Sequence, residues 1–127
     1  MSAANEGRFT VEAQPLPGAR VLVLAGELDH DTAEAFLQTF DEAWQDGGRL
    51  LVDLSRLDFC DSTGLNVLLR GRIEVKEAGG SLELVGLHPP VTRMFHITGA
   101  DRLFPIHADV AAALAAPPGD PDQGPPV

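Results

Sequence analysis

A single α/β domain, built on a mixed sheet of four to five strands with about four helices, follows from three features of the sequence. Two short strand-like runs separated by turn residues open the chain. Apolar runs and helix-spaced apolar stripes then alternate, the signature of βαβ units. One run, Arg49 to Leu54, is apolar enough to be buried on both faces, as strands of parallel sheets are. At 127 residues and 13.5 kDa the chain has room for one hydrophobic core rather than two.

Taken in order, residues 1–7 carry no periodicity and are expected to be a flexible N-terminus. Phe9, Val11 and Ala13 alternate with polar neighbours, and Arg20 to Ala25 is an apolar run. Pro15-Leu16-Pro17-Gly18 between them is turn chemistry, so the two segments form an opening hairpin. Asp31-x-x-Glu34 has capping-box order, and Ala33, Phe36, Leu37, Phe40, Ala43 and Trp44 follow at helical spacing, predicting a helix that stops at Gly47-Gly48. Strand Arg49 to Leu54 comes next, then a loop from Ser55 to Cys60. A second helix, marked by Leu65, Leu68, Leu69 and Ile73, ends at Gly79-Gly80, and Ser81 to Val85 returns as a parallel neighbour.

Pro89-Pro90 starts a third helix whose buried stripe is Val91, Met94 and Phe95 and which Gly99 ends. Leu103 to Ile106 reads as a brief edge strand because Pro105 has no N–H to give a ladder, and Asp109 to Ala116 is an alanine-rich last helix. The domain therefore spans residues 8–116, and residues 117–127, rich in Pro and Gly without periodicity, are expected to be a disordered tail.

Composition narrows the function. With 9 Lys and Arg against 19 Asp and Glu, the formal charge is −10, and no basic stripe exists to neutralise nucleic-acid phosphates. The acidity instead steers the domain toward a basic protein surface. A single cysteine, Cys60, rules out an internal disulfide, and no Cys/His spacing suits a metal. Neither a signal peptide nor a spanning apolar run is present, so a cytoplasmic location away from membranes is expected. The phosphate-binding glycine motifs of nucleotide enzymes are missing, which argues against a cofactor. His30, His88, His96 and His107 are scattered, and helix-start or surface positions account for all of them.

The candidate site is Asp61-Ser62-Thr63-Gly64, where a central parallel strand hands over to a helix. One reading is structural: Asp61 or Ser62 accepts a hydrogen bond from a free N–H of the first helical turn. The other is regulatory, because an exposed hydroxyl there sits beside unpaired N–H groups and the positive end of the helix dipole, which tolerate a phosphate. The Asp61 carboxylate opposes that phosphate, so the fold changes little while a protein interface packed on the hydroxyl would be lost. Spacing alone leaves both readings standing. Asp29 and Asp31 precede a helix, and capping is the plain account of Asp31 and a competing one for Asp29. Cys60, beside Asp61, reads as a small core residue rather than a redox sensor. Enzyme chemistry at Ser62 would need an oriented general base, and no such pair can be named.

The stretch from Leu50 to Gly86 resembles the STAS domain of bacterial anti-sigma factor antagonists, and the likeness runs from about residue 8 to 116. It rests on Asp53-Leu54-Ser55, Phe59, Asp61 to Gly64 and Leu65, preceded by Gly26-Glu27-Leu28-Asp29. The chain departs from the family at Cys60, where an aliphatic residue is typical, and at Asn66, where glycine is frequent. The resemblance implies that Ser62 is a phosphoacceptor and that Asp29 and Asp61 lie near it and help a kinase recognise it. It also implies a partner-binding surface of Asp29, Asp61, Ser62, Thr63, Gly64 and Leu65. The implied partner is an anti-sigma factor with serine kinase activity, with a phosphatase to reverse the modification; bound to the unphosphorylated domain, that factor would release its sigma factor. An adaptor or scaffold subunit in another signalling or transport complex is the alternative that the same fold allows.

Overall fold

The computed structural model describes residues 8–44 and 48–119, and the expected N-terminal segment 1–7 and residues 120–127 of the tail lie outside them. Strands β1 (Phe9–Leu16) and β2 (Ala19–Leu28) form the hairpin, with Leu16 paired to Ala19 around Pro17-Gly18. The turn is thus tighter than Pro15 to Gly18: Pro15 sits within β1, which tolerates it because β1 is an edge strand. Helix α1 (Ala33–Ala43), β3 (Arg49–Cys60), α2 (Ser62–Glu77), β4 (Ser81–Val85), α3 (Val91–Thr98), a 3-10 turn (Ala100–Arg102), β5 (Ile106–His107) and α4 (Val110–Ala115) follow. The sheet order is β1-β2-β3-β4-β5, with β1 antiparallel to β2 and every later pairing parallel. A mixed five-stranded sheet with four α-helices among the described residues matches the expected class.

Side-chain alternation divides the sheet into two faces. Leu22, Leu24, Leu50, Val52, Leu82 and Leu84 point to the larger core, where Phe36 and Phe40 of α1, Leu68 and Val75 of α2 and Phe95 of α3 meet them. Val21, Leu51 and Val85 point the other way and are covered by Ala113 and Val110 around α4. Leu50, Leu51 and Val52 are all fully buried, as a strand covered on both sides requires.

Several boundaries differ from those read along the chain. Residues 55–60 form no loop; they continue β3, pairing with the long β2 through Ala25↔Arg56, Gly26↔Leu57, Glu27↔Phe59 and Leu28↔Cys60, with register shifts on the way. The polar Ser55, Arg56 and Asp58 break the apolar run, but β2 supplies a partner that no local pattern reveals. The edge strand is Ile106–His107 rather than Leu103 to Ile106, and Pro105 serves it by offering its carbonyl to the Leu84 N–H at 2.9 Å. Helix α1 ends at Ala43, before Gly48; Gly47 lies outside the described residues. Ile73, assigned to the buried stripe of α2, is 51% exposed, and Val67, Gly71 and Val75 are buried instead.

Glu83, wholly buried on the α4 face, is held by a network that no sequence motif announces. Arg49 Nε and Nη2 donate to its two carboxylate oxygens at 2.8 and 2.9 Å, the Ser81 hydroxyl donates at 2.7 Å, and His107 Nε2 lies 2.8 Å away. Arg49 also donates to the carbonyls of Ala113 and Ala116, and the Gly119 N–H reaches Glu83 at 3.3 Å. The network therefore ties α4 and the segment after it to the sheet. It also corrects the reading of His107, which is 17% exposed and built into this cluster rather than a plain surface residue.

Burial works to raise the Glu83 pKa, but the hydrogen bonds from Arg49, Ser81 and His107 outweigh it, and the carboxyl titrates below its usual 4.5. A lowered carboxylate pKa contributes stability that is present above the unfolded value and lost as pH falls through the folded one. Arg49→Met should lower the unfolding free energy in urea by about 3–5 kcal/mol at neutral pH, because it leaves a buried charge without its main partner. The gap to the wild type should narrow as the pH falls through the carboxyl range, where protonation of Glu83 removes that charge.

Candidate functional site

Parallel β2 and β3 end side by side, with Leu28 opposite Cys60, so the next residue of each strand, Asp29 and Asp61, leaves the sheet at the same edge. The Asp61 N–H donates to the Leu28 carbonyl at 3.2 Å. Asp61 is the N-cap of α2: its backbone is extended, and its Oδ1 accepts from the Gly64 N–H at 2.8 Å. Of the two caps that spacing allowed, the carboxylate does the work. The Ser62 hydroxyl is left exposed, with no hydrogen-bond partner among the described residues, and Thr63 beside it is exposed as well.

Gly64 is buried for a packing reason. A Cβ built there would lie 2.4 Å from the Leu28 carbonyl oxygen and 2.9 Å from the Leu28 Cγ, closer than any real contact. Only glycine lets the first turn of α2 press onto the end of β2. Leu65, also buried, anchors that turn in the main core. Gly64 and Leu65 thus shape the site from beneath while Ser62 and Thr63 form its surface.

Asp29 is 9% exposed and committed to local bonds. Its Oδ1 accepts from the N–H groups of Asp31 at 3.0 Å and Thr32 at 3.2 Å, and the Thr32 hydroxyl answers by accepting from the Asp29 N–H at 2.9 Å and donating to the Glu27 carbonyl at 2.8 Å. This reciprocal pair orders the turn that leads into α1, whose N-cap is Thr32 without a side-chain cap bond, so the capping expected of Asp31 is not made. Asp31 is itself one of the N–H donors, and its side chain meets His30 Nε2 at 3.2 Å and Arg8 Nη1 at 3.5 Å. Asp29 Oδ2 faces Arg8 Nη2 at 2.5 Å, and the same guanidinium reaches Glu27 at 3.4 Å. Arg8, absent from the residues read as functional, therefore gathers three carboxylates on the approach to the site. No short-range pattern marks it, since it lies 21 residues before Asp29.

Beyond the hydroxyl, the site offers little chemistry. Cys60 is buried, with its thiol pushed up to about 12 by burial and by the adjacent Asp61 carboxylate. His88 spends Nε2 on the Leu57 carbonyl at 2.7 Å, and His96 pairs with Asp101 at 3.1 Å. Among the described residues no His, Cys, Asp and Glu cluster suits a metal ion, and no helix is long and apolar enough to cross a membrane. Phe59, three residues before Ser62 in sequence, is 47% exposed.

An exposed hydroxyl on a helix whose cap is already filled by Asp61 suits a protein-binding regulatory module. The comparisons with known proteins agree. Residues 12–106 match the family described as Mlab, STAS domain, and the chain belongs to the STAS-domain family. An anti-sigma F factor antagonist from Paenibacillus polymyxa is 31% identical over 106 residues, covering 82% of this chain and 91% of the relative. The crystal structure of an anti-sigma factor antagonist from Mycobacterium paratuberculosis superposes with a TM-score of 0.76 at 30% identity, covering 84% of this chain and 92% of that one. The anti-sigma factor antagonist SpoIIAA, solved in its unphosphorylated form, gives 0.67 at 26% identity over the same shares.

Two measurements test the local geometry. Alkylation of native Cys60 at pH 8, followed by mass spectrometry, should be at least tenfold slower than in the urea-unfolded chain, because burial and Asp61 suppress the thiolate. Gly64→Ala should destabilise the domain by about 1–3 kcal/mol in urea, the usual range for forcing a methyl group into a packed site.

Proposed function

We propose that the domain is an anti-sigma factor antagonist controlled at Ser62. Unphosphorylated, it binds an anti-sigma factor through the surface at Ser62 and Thr63, which Asp29, Asp61, Gly64 and Leu65 hold in place, and so frees a sigma factor for transcription. The single observation that carries this reading is the free, exposed Ser62 hydroxyl on a helix whose cap is already filled by Asp61. Capping by Asp61 removes the structural account of Ser62 and leaves its hydroxyl available. Relatives that are themselves anti-sigma factor antagonists support the role, and one of them has a structure distinguished as unphosphorylated.

The partner supplies the chemistry. As a serine kinase it moves the γ-phosphoryl group of ATP to the Ser62 oxygen: the bond to ADP breaks, an O–P bond forms and the hydroxyl proton leaves. A phosphatase reverses the step by hydrolysis. The product carries a charge of about −2 at the start of α2, where the dipole and the first-turn N–H groups stabilise it and Asp61 opposes it, each by roughly 1 kcal/mol. These contributions offset, so the fold persists. At an interface packed on a neutral hydroxyl, the same charge costs several kcal/mol unless a cation meets it. Phosphorylation therefore switches binding off. Glu27, Asp29 and Asp31 against the one guanidinium of Arg8 leave the surroundings acidic, which suits a basic partner surface, and Phe59 adds an apolar contact.

Incubation with the cognate kinase and ATP should place one phosphate, mapped by mass spectrometry, on Ser62. Ser62→Ala should bind the anti-sigma factor and resist modification, whereas Ser62→Asp should bind at least about tenfold more weakly with its melting temperature almost unchanged. A phosphate found elsewhere, or full binding by Ser62→Asp, would overturn the mechanism and favour an adaptor role.

A further inference from the structure

We infer that Arg8 is a positioning residue for the Ser62 switch, acting through Asp29 and the Leu28 carbonyl. The inference rests on the reading of Ser62 given above and assigns its neighbouring motif, Gly26 to Asp29, a mechanical purpose. Each link is a contact. Arg8 enters β1 so closely that a Cβ at Gly26, whose φ is +96°, would lie 1.8 Å from the Arg8 carbonyl oxygen, and that oxygen accepts the Glu27 N–H at 2.8 Å. Glycine at position 26 is what allows the approach. From there the Arg8 guanidinium turns back to Asp29 Oδ2 at 2.5 Å, with Glu27 and Asp31 as its outer partners. Asp29 Oδ1 meanwhile holds the turn that opens α1.

The residue just before Asp29 completes the path. The Leu28 carbonyl, part of the peptide that joins Leu28 to Asp29, accepts the Asp61 N–H and faces the bare Cα of Gly64. Ser62 lies between those two positions. A rotation of the Asp29 peptide therefore moves the surface on which the cap and first turn of α2 rest. Arg8 also neutralises one of the carboxylates that would otherwise repel an incoming ATP phosphate, which ties its charge as well as its shape to modification of the hydroxyl.

The test uses the full chain with Arg8→Gln, Arg8→Lys and Asp29→Asn, the last keeping an Oδ1 acceptor for the turn while removing the charge that Arg8 meets. Amide hydrogen exchange followed by NMR should speed up about tenfold in Arg8→Gln at Asp31, Thr32, Asp61 and Gly64, while Leu51 and Val85 in the sheet keep their protection. With the cognate kinase, kcat/KM for Ser62 should fall about tenfold, mostly through KM, and Arg8→Lys should recover part of it. Asp29→Asn should show the same pattern more weakly, and it decides the matter if Arg8→Gln does not fold. Wild-type exchange at Asp61 and Gly64 in both Arg8→Gln and Asp29→Asn overturns the inference. Absence of Ser62 phosphorylation in the wild type sinks the reading of the switch instead, and the exchange data then judge Arg8 alone.

Discussion

The Leu28 carbonyl is the point on which the candidate site depends. It ends a ten-residue inner strand of the sheet, accepts the N–H of the residue that caps α2, and faces the one position in that helix where a side chain cannot fit. Because β2 and β3 are parallel and in register at Leu28 and Cys60, both loops leave the sheet together and neither can shift alone. The surface around Ser62 is therefore prepared before any partner arrives. An interface formed on such a surface loses little conformational entropy to ordering.

The two faces of the sheet have different duties. The larger core, with Phe36, Phe40 and Phe95 against the leucines of β2, β3 and β4, supplies the apolar burial that holds the domain together. The smaller face carries only Val21, Leu51, Val85 and Ala113 as its buried cluster, and α4 has only six residues. Such a short helix is not stable by propensity alone. Arg49 and Glu83 make up the difference, because a buried carboxylate is tolerable only when fully bonded and the guanidinium that satisfies it has donors left for the Ala113 and Ala116 carbonyls. Charge pairing thus anchors the C-terminal helix at the end of the sheet remote from Ser62.

The acidic character acquires a location in the same way. Arg8 draws Glu27, Asp29 and Asp31 together at the edge from which Ser62 is reached, while Asp61 is spent on the cap. Phe59, half-exposed three residues before Ser62, adds apolar surface to the same strand end. Electrostatic steering and a small apolar anchor are complementary in such a surface, the first governing encounter and the second residence.

Local pattern carried most of the fold. Helical spacing found the first three α-helices and alanine richness the fourth, the both-face apolar run found the central strand, and the turn at Asp61 to Gly64 located Ser62 correctly at the start of a helix. Each of these follows from interactions within a few residues, which a sequence displays directly. What the sequence did not display is what the chain brings together from afar: the second half of β3, whose polar residues form a strand only because β2 lies beside them, the need for glycine at 64, and the roles of Arg8 and Glu83. The partners in those pairings stand 21 residues apart for Arg8 and Asp29 and 34 for Arg49 and Glu83. No window of helix or strand periodicity spans such distances. The sequence by itself determined where the hydroxyl would be; only the tertiary structure decided which groups hold it there, because that choice depends on which strand ends the sheet places side by side.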